Sequence, residues 1–423
     1  MIFVFIFIAV FMIVFSIYIH RGFIYPIAWT TTHMTLTAIG LYLLDSANKW
    51  YYIFGIMLFL FGYWVMVRLI LKISHSIKLV SQSETAKFTV RTLAIWITSS
   101  AVFGLVGYHF AVGGIPLFSD GIEIDRFNFT SSGLFGIPGR MYMMGLPLLL
   151  VYISIIRSRT VVHKSINVVY VLTWVVFITS RIFSGFKGSL LEVVLTIMFI
   201  HAIENKPISV YNKRLFTYAL VLFSSLLFAG LIAGRYGATY GIDFMDSIAY
   251  LLDRMTTIAA QPAEYVMSAA EKHTMDSSYS GYYFQDFAYI LKKYLRISLV
   301  EGDVFTLEKT VSAGLYGVPL SEDYFIVPVT IGAFAETFIN FGLIGTYFVM
   351  FFYGILYAYF IGQAIRSTNI YIATLYGYGV LICHSYLTKG GLIYFLTNGA
   401  GILFLFFGLV TFLNWSSIIF RKY

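Results

Sequence analysis

The chain has 423 residues, of which 59% are hydrophobic, 19% aromatic and only 11% charged, and its mean hydropathy is +0.82. A soluble domain carries roughly 25% charged residues, so this composition excludes a water-facing globule and indicates a polytopic membrane protein. The formal charge of +8 reads as topology and lipid headgroups rather than nucleic acid. The single cysteine, Cys383, excludes an intrachain disulfide framework and a cysteine-based metal cluster.

Apolar runs long enough to cross a bilayer, about 17–25 residues, predict eleven spans, near 1–19, 27–45, 50–71, 92–112, 140–156, 166–181, 188–204, 215–234, 341–363, 370–387 and 391–413. The expected fold is an all-α membrane helix bundle of about eleven helices, forming one domain over 1–423. His20 and Arg21 follow the first run rather than preceding it, so it reads as a span and not a cleaved signal. Lys72, Lys78, Lys87 and Arg91 lie on the same side as Arg157, Arg159 and Lys164 if the spans alternate. Lys206, Lys213, Arg214, Arg421 and Lys422 fall there too. The positive-inside rule makes that side the cytoplasm, which puts the N-terminus outside and the C-terminus inside.

Two loops then face outward, 113–139 and 235–335. The longer holds 12 of the 20 acidic residues, and helix-like apolar spacing recurs within it at 245–272 and 282–299. Amphipathic helices across the outer mouth of the bundle are expected there. Lys272, Lys292, Lys293, Arg296 and Lys309 read as ordinary solvated charges among those acids.

No phosphate-binding glycine loop, nucleophile elbow, zinc-protease motif or clustered metal ligands occur. Chemistry therefore has to be sought where charge breaks the topology rule. Arg126, Arg140, Arg181, Lys187, Arg235, Arg254 and Lys389 sit at outer span ends. Several are flanked by glycine, as in Gly139-Arg140, Gly234-Arg235 and Lys389-Gly390-Gly391. Arginine binds phosphate in a bidentate fashion, and glycine lets a backbone approach a ligand closely. Two readings stand for this set: a basic outward cavity for a phosphorylated ligand, or separate side chains snorkelling to headgroups. Glu336, in AFAETFINFGLIG, is an acid among apolar residues. It is read either as a catalytic carboxylate or as the ion-pair partner of an outer arginine. Glu192 is expected to pair inside the bundle, and His109 and His384 mark outer span ends.

At GGIPLFSDGIEIDRF (113–127), PGR (138–140), SRIFSGFKG (180–188) and Glu336 followed by NFGLIG (340–345), the chain resembles the Wzy-type polymerases of bacterial O-antigen and capsular polysaccharide. The resemblance implies a glycosyltransferase of the membrane-embedded class C kind in the bacterial inner membrane, with its active site facing the periplasm. It implies polymerisation of oligosaccharide repeat units carried on undecaprenyl pyrophosphate, the growing chain passing to the incoming unit. No metal and no cofactor are implied, and a polysaccharide chain-length regulator is an implied partner besides the lipid-linked units and membrane lipids. For the implied reaction, Arg126, Arg140, Arg181, Lys187, Arg235 and Arg254 are the candidate pyrophosphate clamp. Glu336 is the first candidate base, followed by Asp125 and His384. The competing functions are an O-antigen ligase, which transfers the polymer to lipid A core, and a flippase or transporter of lipid-linked oligosaccharide.

Overall fold

The computed structural model describes residues 2–20, 23–70, 89–119, 136–185, 187–204, 208–209, 246, 249–250, 253, 256–272, 275, 281–300, 302–321 and 329–419. Within them the chain is helical apart from connecting turns and two-residue extended stretches. The helices are α1 (Ile2–Tyr18), α2 (Pro26–Leu43), α3 (Lys49–Val65), α4 (Val90–Gly113), α5 (Leu146–Arg159), α6 (Lys164–Phe183) and α7 (Lys187–Ile203). After these come α8 (Thr257–Glu271), α9 (Gly281–Ile290), α10 (Leu307–Tyr316), α11 (Gly332–Arg366), α12 (Ile370–Lys389) and α13 (Leu392–Ile419). Short π-helical segments extend α3 (Met66–Ile70) and α9 (Leu291–Leu295), and one precedes α5 (Met141–Gly145).

Among the described residues seven helices are long and apolar enough to cross a membrane: Lys49–Arg68, Arg91–Phe118, Ile137–Arg159, Lys164–Phe183, Gly332–Arg366, Ile370–Lys389 and Leu392–Leu413. This is fewer than the expected eleven, for identifiable reasons. Helices do form where spans were expected at 1–19 and 188–204, but α1 and α7 are each 17 residues long. α2 has the length, at 18 residues, but is diluted by five threonines and His33. The run at 215–234 lies outside the described residues.

The local causes of the helices are plain in several places. Thr89 and Thr92 exchange side-chain and backbone bonds as a capping box opening α4. Pro26 starts α2, where a missing N–H costs nothing. The Asn369 side chain accepts from the N–H groups of Tyr371 and Ile372 at the head of α12. α11 is interrupted at Gly342, whose φ of 68° no β-carbon-bearing residue adopts comfortably.

The chain groups into two compact units. The first comprises Met1–Ile73, Ala249–Gly362 and Val380–Thr397. In it α3 and α11 approach until backbones touch: a β-carbon on Gly62 would run into the carbonyl of Phe351, and one on Gly354 into that of Phe59. Gly40 likewise lets α2 meet α8 at Thr256 and Ala260. Small residues at crossings are how helices associate where lipid removes the hydrophobic drive. The second unit comprises Ser74–Ile248, Gln363–Gly379 and Asn398–Tyr423. Its centre is α5, buried along its whole length from Leu146 to Ile156, as expected of a helix that is apolar all round. On the outer sides, apolar residues stay exposed at helical spacing, such as Val168, Val171, Leu172 and Val175 on α6 and Ile344, Phe348 and Phe352 on α11. Such stripes are the lipid-facing sides of a membrane bundle.

Candidate functional site

In the second unit the organising side chain is Arg181, near the end of α6 and only 2% exposed. A lone buried guanidinium is prohibitively costly, so it has to be paired and hydrogen-bonded. Its NH1 lies 3.3 Å from the Glu192 carboxylate on α7, and its NH2 donates to the Met143 carbonyl at 2.8 Å. That carbonyl belongs to the π-helical segment Met141–Gly145, where the wider turn alters the usual backbone pairing. The guanidinium lies over the rings of Tyr142 (4.7 Å) and Phe177 (5.1 Å), and the buried His109 ring stacks on Tyr142 at 5.9 Å. Arg181 Nε has no hydrogen-bond partner among the described residues. Arg140 closes the single turn Ile137–Arg140, three residues before Met143, with its guanidinium folded back toward the left-handed Gly136. Arg181 and Arg140 are thus brought to one short segment. Glu192 pairs inside the bundle as expected, and its partner is Arg181.

In the first unit the site is a buried set of carboxyls at helix N-termini. Glu336, 1% exposed, accepts from the N–H of Gly391 at 2.6 Å and of Leu392 at 3.0 Å. It thereby satisfies the orphan donors at the head of α13 and sits at the positive end of the helix dipole. This geometry needs the Lys389-Gly390-Gly391 turn, where both glycines are left-handed at φ 80° and 76°. Asn340, one turn further along α11, accepts from the N–H groups of Tyr282 and Tyr283 at 3.2 and 3.3 Å, opening α9. Asp286 on α9 accepts from Leu307 N–H at 2.9 Å, opening α10. Glu308 in the first turn of α10 lies against Gly391, where an added β-carbon would strike its Oε1. Asn340 Nδ2 also donates to the Glu336 carbonyl at 2.8 Å. The caps close a circuit through α11, α9, α10 and the turn before α13.

Burial, with the Glu308 carboxyl beside it, pushes the Asp286 carboxyl up to about 8, against the opposing pull of the Leu307 N–H. Burial pushes the Glu308 carboxyl up as well. The Tyr283 phenol, raised by burial and by Glu336, shares a 3.1 Å hydrogen bond with Tyr386. His384, also in this unit, bonds through Nδ1 to Thr30 at 2.9 Å, and Thr30 reaches Tyr357 at 2.9 Å.

Asp125, Arg126, Arg235 and Arg254 lie outside the described residues, and Lys187 opens α7 with a side chain that is likewise outside them. Among the described residues no group of His, Cys, Asp or Glu is arranged to hold a metal ion. Sequence reasoning passed over Asp286 although it carries the mark that singled out Glu336, an acid in an aromatic run (YYFQDFAYI). Glu308, in LEKTV, carries no such mark. The chain matches no protein-family model, no curated protein and no solved structure.

Proposed function

We propose that the chain is a membrane glycosyltransferase that polymerises oligosaccharide repeat units carried on a lipid pyrophosphate. In this reading the N-terminus and the basic set lie on the periplasmic side of the bacterial inner membrane. The observation that carries the proposal is Arg181: a guanidinium held rigid by a carboxylate, a carbonyl and two rings, with one N–H to spare and Arg140 on the adjoining segment. A cation fixed before the reaction is what a departing pyrophosphate requires, since no reorganisation is needed as charge develops. The leaving group is already a good one, so cations can replace a metal. Glu336 has two possible duties. As the base it must exchange a backbone N–H for the acceptor hydroxyl; as a positioning residue it holds the Gly390-Gly391 turn. The Glu336→Gln protein separates them, because loss of rate with the fold intact marks the base and retained rate the positioning residue.

The deciding experiment is a lipopolysaccharide gel from the native strain with this gene deleted and then restored. Polymerase activity gives core plus one repeat unit on deletion and the full ladder on restoration. Restoration with Arg181→Ala, at wild-type membrane levels, is expected to lower polymer by about 100-fold or more. Loss of every unit on deletion would establish the ligase or flippase reading instead. A transporter is the second reading because ionisable groups are buried in this bundle, including His20, bonded to Tyr63 at 2.6 Å, and His384 with Thr30 and Tyr357.

A further inference from the structure

The segment 281–300 is built inside out for a loop in water. α9 buries its one acid, Asp286, and shows the solvent two phenylalanines, Phe284 at 52% and Phe287 at 40% exposure. Immediately after it come Lys292, Lys293 and Arg296. Arg296 takes a left-handed conformation (φ 57°) that ends the helical run. The next residues, Ile297, Leu299 and Val300, are again large, apolar and exposed. This tip is a folded turn: Ile297 N–H returns to the Leu291 carbonyl at 3.2 Å, and Ser298 Oγ donates to the Val300 carbonyl at 2.7 Å. Lys292 lies 3.6 Å from Asp303, while Lys293 lies over the Tyr289 ring at 5.4 Å.

The exposed surface is continuous with a lipid-facing one. Tyr283 packs its ring on Phe341 at 5.7 Å, and Phe341 begins the exposed stripe of α11 that runs on through Ile344 and Phe348. Apolar side chains outward, a carboxyl turned inward and a band of Lys and Arg where the apolar surface gives out form the pattern of a helix lying in a bilayer interface. From this we infer that residues 281–300 dock on the membrane surface, with Phe284, Phe287 and Leu299 in the acyl boundary and Lys292, Lys293 and Arg296 on lipid phosphates. This reverses the sequence-based reading of these cations as merely solvated, and it is independent of the catalytic proposal.

The test uses the full chain with Cys383→Ser, carrying one environment-sensitive fluorophore at Leu299→Cys, in nanodiscs of phosphatidylcholine and phosphatidylglycerol. Phe284→Cys is a second site and Glu271→Cys, exposed at the end of α8, a control outside the patch. The expected result is quenching of the 299 and 284 probes by lipid spin-labelled high on the acyl chain, at least threefold stronger than at 271, with weak quenching by aqueous iodide. Reversing Lys292, Lys293 and Arg296 to Glu is expected to cut the lipid quenching at 299 at least twofold in the anionic discs. Probes at both 299 and 284 that iodide quenches as strongly as at 271 would overturn the inference and leave the patch to a protein partner.

Discussion

The two units answer the same problem with opposite kinds of side chain, acceptors in one and donors in the other. Buried helix ends expose unpaired N–H groups at one terminus and unpaired carbonyls at the other. The first unit deals with N-termini by carboxyl and amide side chains brought from distant helices: Glu336 at α13, Asp286 at α10 and Asn340 at α9. The second deals with a C-terminus by arginine, since Arg159 reaches the carbonyls of Ala364 and Ile365 at the end of α11 and of Ser367 just beyond it. Arg181 does the same for the carbonyl of Met143 in mid-segment. Arg159 also matches the sign of the helix dipole at its end. The difference shows that a buried charge in this fold is first a termination device, and chemistry has to be argued on top of that.

Removing a cap should break the contrast most sharply in the first unit. Glu336→Ala strands two buried amides at the head of α13, and about 3–5 kcal/mol of stability is expected to go, read as a lower unfolding midpoint of the purified protein. Glu336→Gln keeps an acceptor and should recover over half of that loss. In the second unit Arg159→Met frees carbonyls nearer the end of a long helix, where fraying relieves part of the penalty. About 2–3 kcal/mol is expected by the same measurement. Gly391→Ala forces a left-handed residue and presses on Glu308; roughly 1–2 kcal/mol should be lost, with Gly401→Ala, in open space, close to neutral.

A further effect is one of pH, and it belongs to the first unit. The Asp286 carboxyl is raised to about 8 in the folded chain, against roughly 3.9 unfolded. Between those values the native state holds a proton that the unfolded state has released, so stability falls as pH rises from about 4 through 8. Melting of the wild type should drop by about 2–4 °C between pH 6 and 8.5. The Asp286→Asn protein should be flatter across that range. An equal slope in both would remove Asp286 as the cause.

Much of the membrane architecture was legible because an apolar run of span length has few other uses, and α3, α4, α6, α12 and α13 fall where they were expected. Glu336 was legible as an oddity, yet its partner was not: an N–H 55 residues further along carries no side-chain signature. The glycines at 390 and 391 were read as room for a ligand, whereas their positive φ angles build the turn that presents that N–H. Arg157 and Arg159 were read through topology alone. Arg157 in fact pairs with Glu204 at 3.2 Å and lies over Tyr170 at 3.8 Å, and Arg159 caps α11. One sequence shows which residues are costly to bury, but only the fold shows what offsets the cost.

The π-helical segment Met141–Gly145 stands between Arg140 and the fully buried α5. A wide turn of this kind is equivalent to one residue inserted into an α-helix. Each residue of an α-helix turns the direction of its side chain by about 100°, and in a π turn about five residues cover the rotation that four cover there. Deleting a single residue would let the segment relax to regular helix with Arg140 and the packed face of α5 close to their present headings, while the Met143 carbonyl that Arg181 holds would be drawn into the regular ladder. One codon thus decides whether a carbonyl is free for Arg181, without repacking the helix that supports it.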